Sequence, residues 1–177
     1  MLLSIEPRGL EDAISGFSIN CKIMDDEIFM RHALEAGAAV VGTTGENPAV
    51  GCVVVCRGKL VATGATRPPG GAHAEVVAVE RAEADGYAIS QCEVYVTLEP
   101  CSFYGRTPPC ARLLAQKGPS RVVIALRDPH PKVSGAGILQ LEQAGIEVVV
   151  GVLSAEATKA LASWLERHSQ PGAKAGV

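Results

Sequence analysis

The chain has 177 residues, 47% of them hydrophobic and 20% charged, which suits one folded domain with its own core and excludes wholesale disorder. Its formal net charge of −3 argues against a general nucleic-acid binder. No apolar run approaches the roughly 20 residues that span a bilayer, and Glu6, Glu11 and Asp12 interrupt the N-terminal apolar residues, so neither a membrane anchor nor a secretory signal is read and a cytoplasmic location is expected.

Residues 1–23 have weak periodicity and are broken by Pro7, Gly9 and Gly16; they read as an extension. Residues 24–168 read as the folded domain and 169–177 as a frayed tail. From Asp25 the pattern sharpens. Ile28, Met30, Ala33, Leu34, Ala38 and Val41 recur at helical spacing behind the acidic start Asp25-Asp26-Glu27, which suits a helix N-terminus. After Asn47-Pro48, a β-branched run from Val50 to Cys56, a turn at Arg57-Gly58-Lys59 and a second run from Leu60 predict a hairpin. A helix follows from about His73 to Ala84. Short apolar runs at Glu93–Leu98, Arg121–Leu126 and Ile146–Val150 predict buried strands, separated by helices over about Pro109–Lys117 and Ala136–Ala144. A last helix is expected from Ser154, as N-cap, to about Arg167. Strands alternating with helices imply a three-layer α/β/α sandwich around a five-stranded mixed sheet.

Six cysteines stand at positions 21, 52, 56, 92, 101 and 110. The chain is too long and apolar for a disulfide scaffold, so reduced thiols are expected, some of them free to bind metal. Two segments carry chemistry: His73-Ala74-Glu75, and Glu99-Pro100-Cys101 with Cys110 beyond it. Each lies at a strand-to-helix or loop-to-helix junction, and a helix N-terminus lowers the pKa of a cysteine and favours the metal-binding thiolate. One imidazole and two thiolates match an open zinc site with three protein ligands and a water. Zinc lowers the pKa of that water to about 7, and a carboxylate at Glu75 is placed to move its proton to a leaving amine. The order His-x-Glu … Pro-Cys-x-x-Cys is that of zinc deaminases, except that eight residues separate Cys101 from Cys110. An inserted loop of that length costs little if its ends stay in place.

The string from Thr97 to Cys110, TLEPCSFYGRTPPC, closely resembles the deaminase domain of the riboflavin-pathway deaminase/reductases (diaminohydroxyphosphoribosylaminopyrimidine deaminases), within the cytidine-deaminase-like superfamily. So do Asn47–Cys52, Gly70–Val76 and Asp128–Pro131, and the resemblance extends over about Asp25 to Arg167. It implies a cytidine-deaminase-like fold and hydrolytic deamination of a phosphoribosylated diaminopyrimidine, a small heterocyclic substrate. It also implies Zn2+ held by His73, Cys101 and Cys110, Glu75 as proton shuttle, Asn47 on the base, and Arg106 and Thr107 lining the pocket. A homodimer or homotetramer is expected on the same ground, and any reduction step is expected to belong to a separate reductase. Thr66, Phe103 and His130 depart from residues frequent in that family, so a deaminase of another base, nucleoside or nucleotide is the competing reading.

Other readings bear on single residues. A structural zinc site would need a fourth protein ligand such as Cys52 or Cys92, which are better read as small apolar core residues. A zinc module that only binds a partner has no need of Glu75, and a polynucleotide deaminase would be expected to carry more positive charge. Between Arg106 and Lys132 the cationic residues outnumber Asp128. Arg106 and Lys132 suit a phosphate, while Arg112, Lys117 and Arg121 read as a solvated face or subunit contact. Phe103 and Tyr104 could stack on a flat ring or close their loop over the core. His130 could hydrogen-bond substrate or stiffen a turn.

Overall fold

The computed structural model describes residues 24–104, 108–129 and 134–168. A helix over 24–38 (α1) precedes the hairpin β1 (Gly51–Cys56) and β2 (Lys59–Ala65). Then come α2 (Ala74–Ala84), β3 (Cys92–Leu98), α3 (Cys110–Lys117), β4 (Arg121–Leu126), α4 (Ala136–Gln143), β5 (Glu147–Val150), α5 (Ser154–Ala160) and α6 (Ala162–His168). The sheet order is β2-β1-β3-β4-β5. β1 is antiparallel to β2 and β3, and β3, β4 and β5 run parallel, which is the expected mixed sheet.

Both faces of the central strands are apolar, because helices cover both. Cys52, Val54, Val94, Val96, Val122 and Ile124 point to the layer that contains α2, α3, α4 and α6. Val53, Val55, Tyr95, Val123 and Ala125 point to the layer with α1 and α5. The two-residue alternation is therefore real, although the sequence of each strand reads as one continuous hydrophobic run.

Three expectations are corrected. Cys56 and Cys92 face each other in the β1–β3 register with Cα atoms 4.3 Å apart, and they form a disulfide, so the thiols are not all reduced. The last helix is two helices: Leu161 leaves helical geometry between α5 and α6. Ser154 is the first helical residue rather than the cap, which is Leu153 at φ 54° with no side-chain capping bond.

Arg121 also departs from its expected place on a solvated face. It is 6% exposed, and its guanidinium grips Asp26 through two bonds, Nη1 to Oδ1 at 2.6 Å and Nη2 to Oδ2 at 2.7 Å. Its Nε donates to Glu147, and Nη1 also reaches Glu93. The Tyr95 hydroxyl lies 2.9 Å from Asp26 Oδ1. Asp26 thus fastens α1 to the starts of β3, β4 and β5, a stronger task than placing charge at a helix N-terminus. Lys117 pairs with Glu83, and Arg112 with the Tyr104 hydroxyl. Among the described residues, no helix is long and apolar enough to cross a membrane.

Candidate metal centre and active site

β1 begins, and β2, β3 and β4 end, at one edge of the sheet, so the chain segments that leave these strands converge there. The residues read from sequence as chemical sit on those segments. Asn47 precedes β1, His73 and Glu75 open α2, Cys101 follows β3, and Cys110 opens α3.

Two glycines set the distances. A Cβ on Gly64 of β2 would stand 2.2 Å from the Ala74 carbonyl oxygen, so the first turn of α2 lies hard against the strand. A Cβ on Gly137 of α4 would stand 2.1 Å from the Pro100 carbonyl oxygen, so α4 packs directly on the residue before Cys101. Glu99 completes that joint. Its Oε1 accepts the N–H groups of Gly137 and Ile138, and its Oε2 those of Asp128 and Gly135. A buried carboxylate with four backbone donors ties the loop after β3 to the loop after β4 and satisfies donors at the start of α4. The sequence reading named Glu99 as part of its motif but gave it no task.

His73 is the N-cap of α2, and its Nδ1 lies 3.6 Å from Cys101 Sγ and 3.4 Å from Cys110 Sγ. The three ligand atoms all lie within 4.8 Å of one another. A tetrahedral zinc, with Zn–N about 2.0–2.1 Å and Zn–S about 2.3 Å, sets N···S edges of about 3.6 Å. The side chains already stand at that spacing, so the trio fits the ion and leaves one tetrahedral corner to solvent or substrate. No other His, Cys, Asp or Glu completes such a group among the described residues; Cys52 is a buried core thiol, as expected, and Cys92 is paired.

The electrostatics agree. The Cys110 thiol and the His73 ring hydrogen-bond to Cys101, and the Cys110 backbone N–H reaches its sulfur at 3.3 Å, which together draw the Cys101 pKa well down. Cys110, donating to that sulfur and fully enclosed, is pushed up in turn. The Cys101 hydrogen bond raises His73. Glu75 is 4% exposed, and burial first, then the charge of Cys101, lifts its pKa from 4.5 to about 7. A buried carboxyl beside the three ligands stands where it can take and return a proton.

His73, Glu75 and Cys101 share one pocket with Asn47 and Phe103. The structure therefore brings together Asn47, Phe103 and the motif residues; Cys110 lies buried beside them. Tyr104 is exposed instead. Arg106, Thr107, His130 and Lys132 lie outside the described residues. Thr66, Asp128 and Trp164 also line the pocket. Trp164 carried no signal at the level of sequence beyond being the chain's one tryptophan.

The family model for the cytidine and deoxycytidylate deaminase zinc-binding region matches residues 23–126, a span that contains His73, Glu75, Cys101 and Cys110. The chain belongs to the cytidine and deoxycytidylate deaminase family. Within that family it is 47% identical over 141 residues to the riboflavin biosynthesis protein RibD of Chlamydia pneumoniae, covering 80% of this chain and 37% of that protein. It is 40% identical over 136 residues to the diaminohydroxyphosphoribosylamino-pyrimidine deaminase of Buchnera aphidicola subsp. Schizaphis graminum, covering 77% of this chain and 90% of that one. The structure of a deaminase/reductase from Thermotoga maritima superposes with a TM-score of 0.78 at 38% identity, over 84% of this chain and 42% of the other. The chain thus spans little more than a third of the curated RibD relatives it matches, and the deaminase fold that the family resemblance implies is the one these relatives share.

Proposed function

We propose that this chain is a zinc-dependent aminohydrolase that removes an exocyclic amine from a phosphoribosylated diaminopyrimidine of riboflavin biosynthesis and releases ammonia. The observation that carries this reading is the meeting of the His73–Cys101–Cys110 triangle with the buried Glu75 carboxylate in one pocket. The Buchnera deaminase supports the choice of substrate, because this chain covers 90% of it at 40% identity.

His73 Nδ1 and the two sulfurs hold the zinc, which when bound brings a water to a pKa of about 7. Glu75 takes a proton from the attacking water, passes it to the ring nitrogen beside the carbon under attack, and returns a proton to the departing amine. The carbon–nitrogen bond breaks, a ring carbonyl forms, and water supplies the oxygen. Asn47 holds an edge of the base, and Phe103 covers its face. Arg106 and Thr107 contact the substrate, Arg106 and Lys132 meet its phosphate and His130 bonds it, roles that the family resemblance and the local excess of cationic residues support. The folded unit is 24–168, and the protein works in the cytoplasm as a homodimer or homotetramer.

Ammonia release from a panel of aminated heterocycles tests the substrate. The zinc-loaded protein is expected to turn over the diaminopyrimidine ribotide at least 100 times faster, on the order of a 3 kcal/mol preference, than cytidine, deoxycytidylate or guanine. Turnover of guanine or cytidine without turnover of the ribotide refutes it.

A further inference from the structure

Trp164 stands on α6, 54 residues beyond Cys110 at the end of the zinc motif, yet it lines the same pocket as His73 and Glu75. It is 5% exposed, and its ring stacks on His168 with centroids 4.6 Å apart. Its Nε1–H is the one buried side-chain nitrogen or oxygen among the described residues that meets no hydrogen-bond partner. The indole N–H is a donor and nothing else, so only an acceptor can satisfy it. Native structures leave few such groups, and one in the wall of an enzyme pocket points to a partner that arrives with the ligand.

We propose that Trp164 is a substrate-binding residue whose Nε1–H donates to an acceptor on the heterocycle, a ring carbonyl oxygen or unprotonated ring nitrogen. The inference rests on the deaminase reading above and adds to it the residue that reads the ring's acceptor edge. The ring is the part of the substrate concerned because Trp164 shares its pocket with Glu75, and the carbon that loses its amine must come within reach of that carboxylate. A pocket that leaves a donor unmatched discriminates against rings that present an amine or C–H at that position. The geometry also assigns α6 a part in the site: the helix beyond the Leu161 break supplies one of its walls.

Two measurements test this. In kinetics, Trp164→Phe is expected to raise KM for the diaminopyrimidine ribotide about tenfold with kcat changed less than threefold. Replacing Trp164 by benzothienylalanine, which keeps the bicyclic shape and exchanges N–H for sulfur, is expected to do the same and guards against a packing effect. Unchanged KM in the benzothienyl protein overturns the proposal. In binding, Trp164 is the sole tryptophan, so the protein's emission reports on this ring alone. Titration with the deaminated product ribotide is expected to shift the emission to the red, and ribose 5-phosphate is expected to leave it in place. An equal shift with ribose 5-phosphate, or none with the ribotide at saturation, overturns it. If wild type releases no ammonia from the ribotide, the substrate reading fails by itself. Trp164 is then judged on the heterocycle that wild type does deaminate, where an unchanged KM in the benzothienyl protein again overturns the proposal.

Discussion

Glu75→Gln separates chemistry from architecture. The amide keeps the size of the carboxyl group but can neither take nor return a proton, so the zinc-loaded variant is expected to lose turnover by about 10²–10⁴-fold while it holds one zinc per chain. The fold predicts an opposite effect on stability. Burial lifts the Glu75 pKa from 4.5 to about 7, so the folded metal-free protein binds a proton there that the unfolded chain releases. Stability from this group is present below pH 4.5 and lost as pH rises through about 7, to the extent of about 3 kcal/mol. Zinc-free Glu75→Gln is therefore expected to match wild type near pH 4.5 and to exceed it by up to about 3 kcal/mol at pH 8. Ammonia release, metal analysis and urea denaturation at the two pH values measure the three quantities. A zinc-replete variant that keeps more than a tenth of wild-type turnover refutes the proton-shuttle role. A stability gap that does not widen with pH refutes the account of the buried carboxyl.

Three further outcomes follow from the geometry. Cys101→Ser is expected to lose stoichiometric zinc and turnover together, because a hydroxyl replaces one of three ligands; metal analysis after dialysis reads this directly. Gly64→Ala is expected to destabilise the protein by about 1–3 kcal/mol in urea and to lower kcat, since the new methyl meets the Ala74 carbonyl and must push α2, with His73 and Glu75, off the strand. Arg121→Met is expected to cost about 3–5 kcal/mol by leaving the buried Asp26 without its cation, and the added change Asp26→Asn should recover a large part of it; an additive double variant contradicts the pairing.

The zinc trio and Glu75 were legible because they fall in two short strings, one at the start of α2 and one between the end of β3 and the start of α3, so spacing along the chain stands in for position in space. The mixed sheet was legible for the same reason, since each strand is a run bounded by turns. What escaped the reading depends on register or on distant contacts. Cys56 meets Cys92 only once β1 is aligned on β3. Asp26 meets Arg121 across 95 residues, and neither residue's neighbours announce it. The break at Leu161 was hidden because Ala157, Leu161 and Trp164 keep a helical stride across it, and all three stay buried. Trp164 itself could have been noticed only as a lone large aromatic on a short helix.

The Asp26–Arg121 anchor lies where β3, β4 and β5 begin, and the pocket lies where β3 and β4 end. Cohesion and selectivity are thereby assigned to opposite rims of one scaffold. A residue such as Phe103 can be exchanged without touching the contacts that keep the first helix in place. A rim that can vary while the other stays fixed allows one framework to be retuned from one aminated ring to the next.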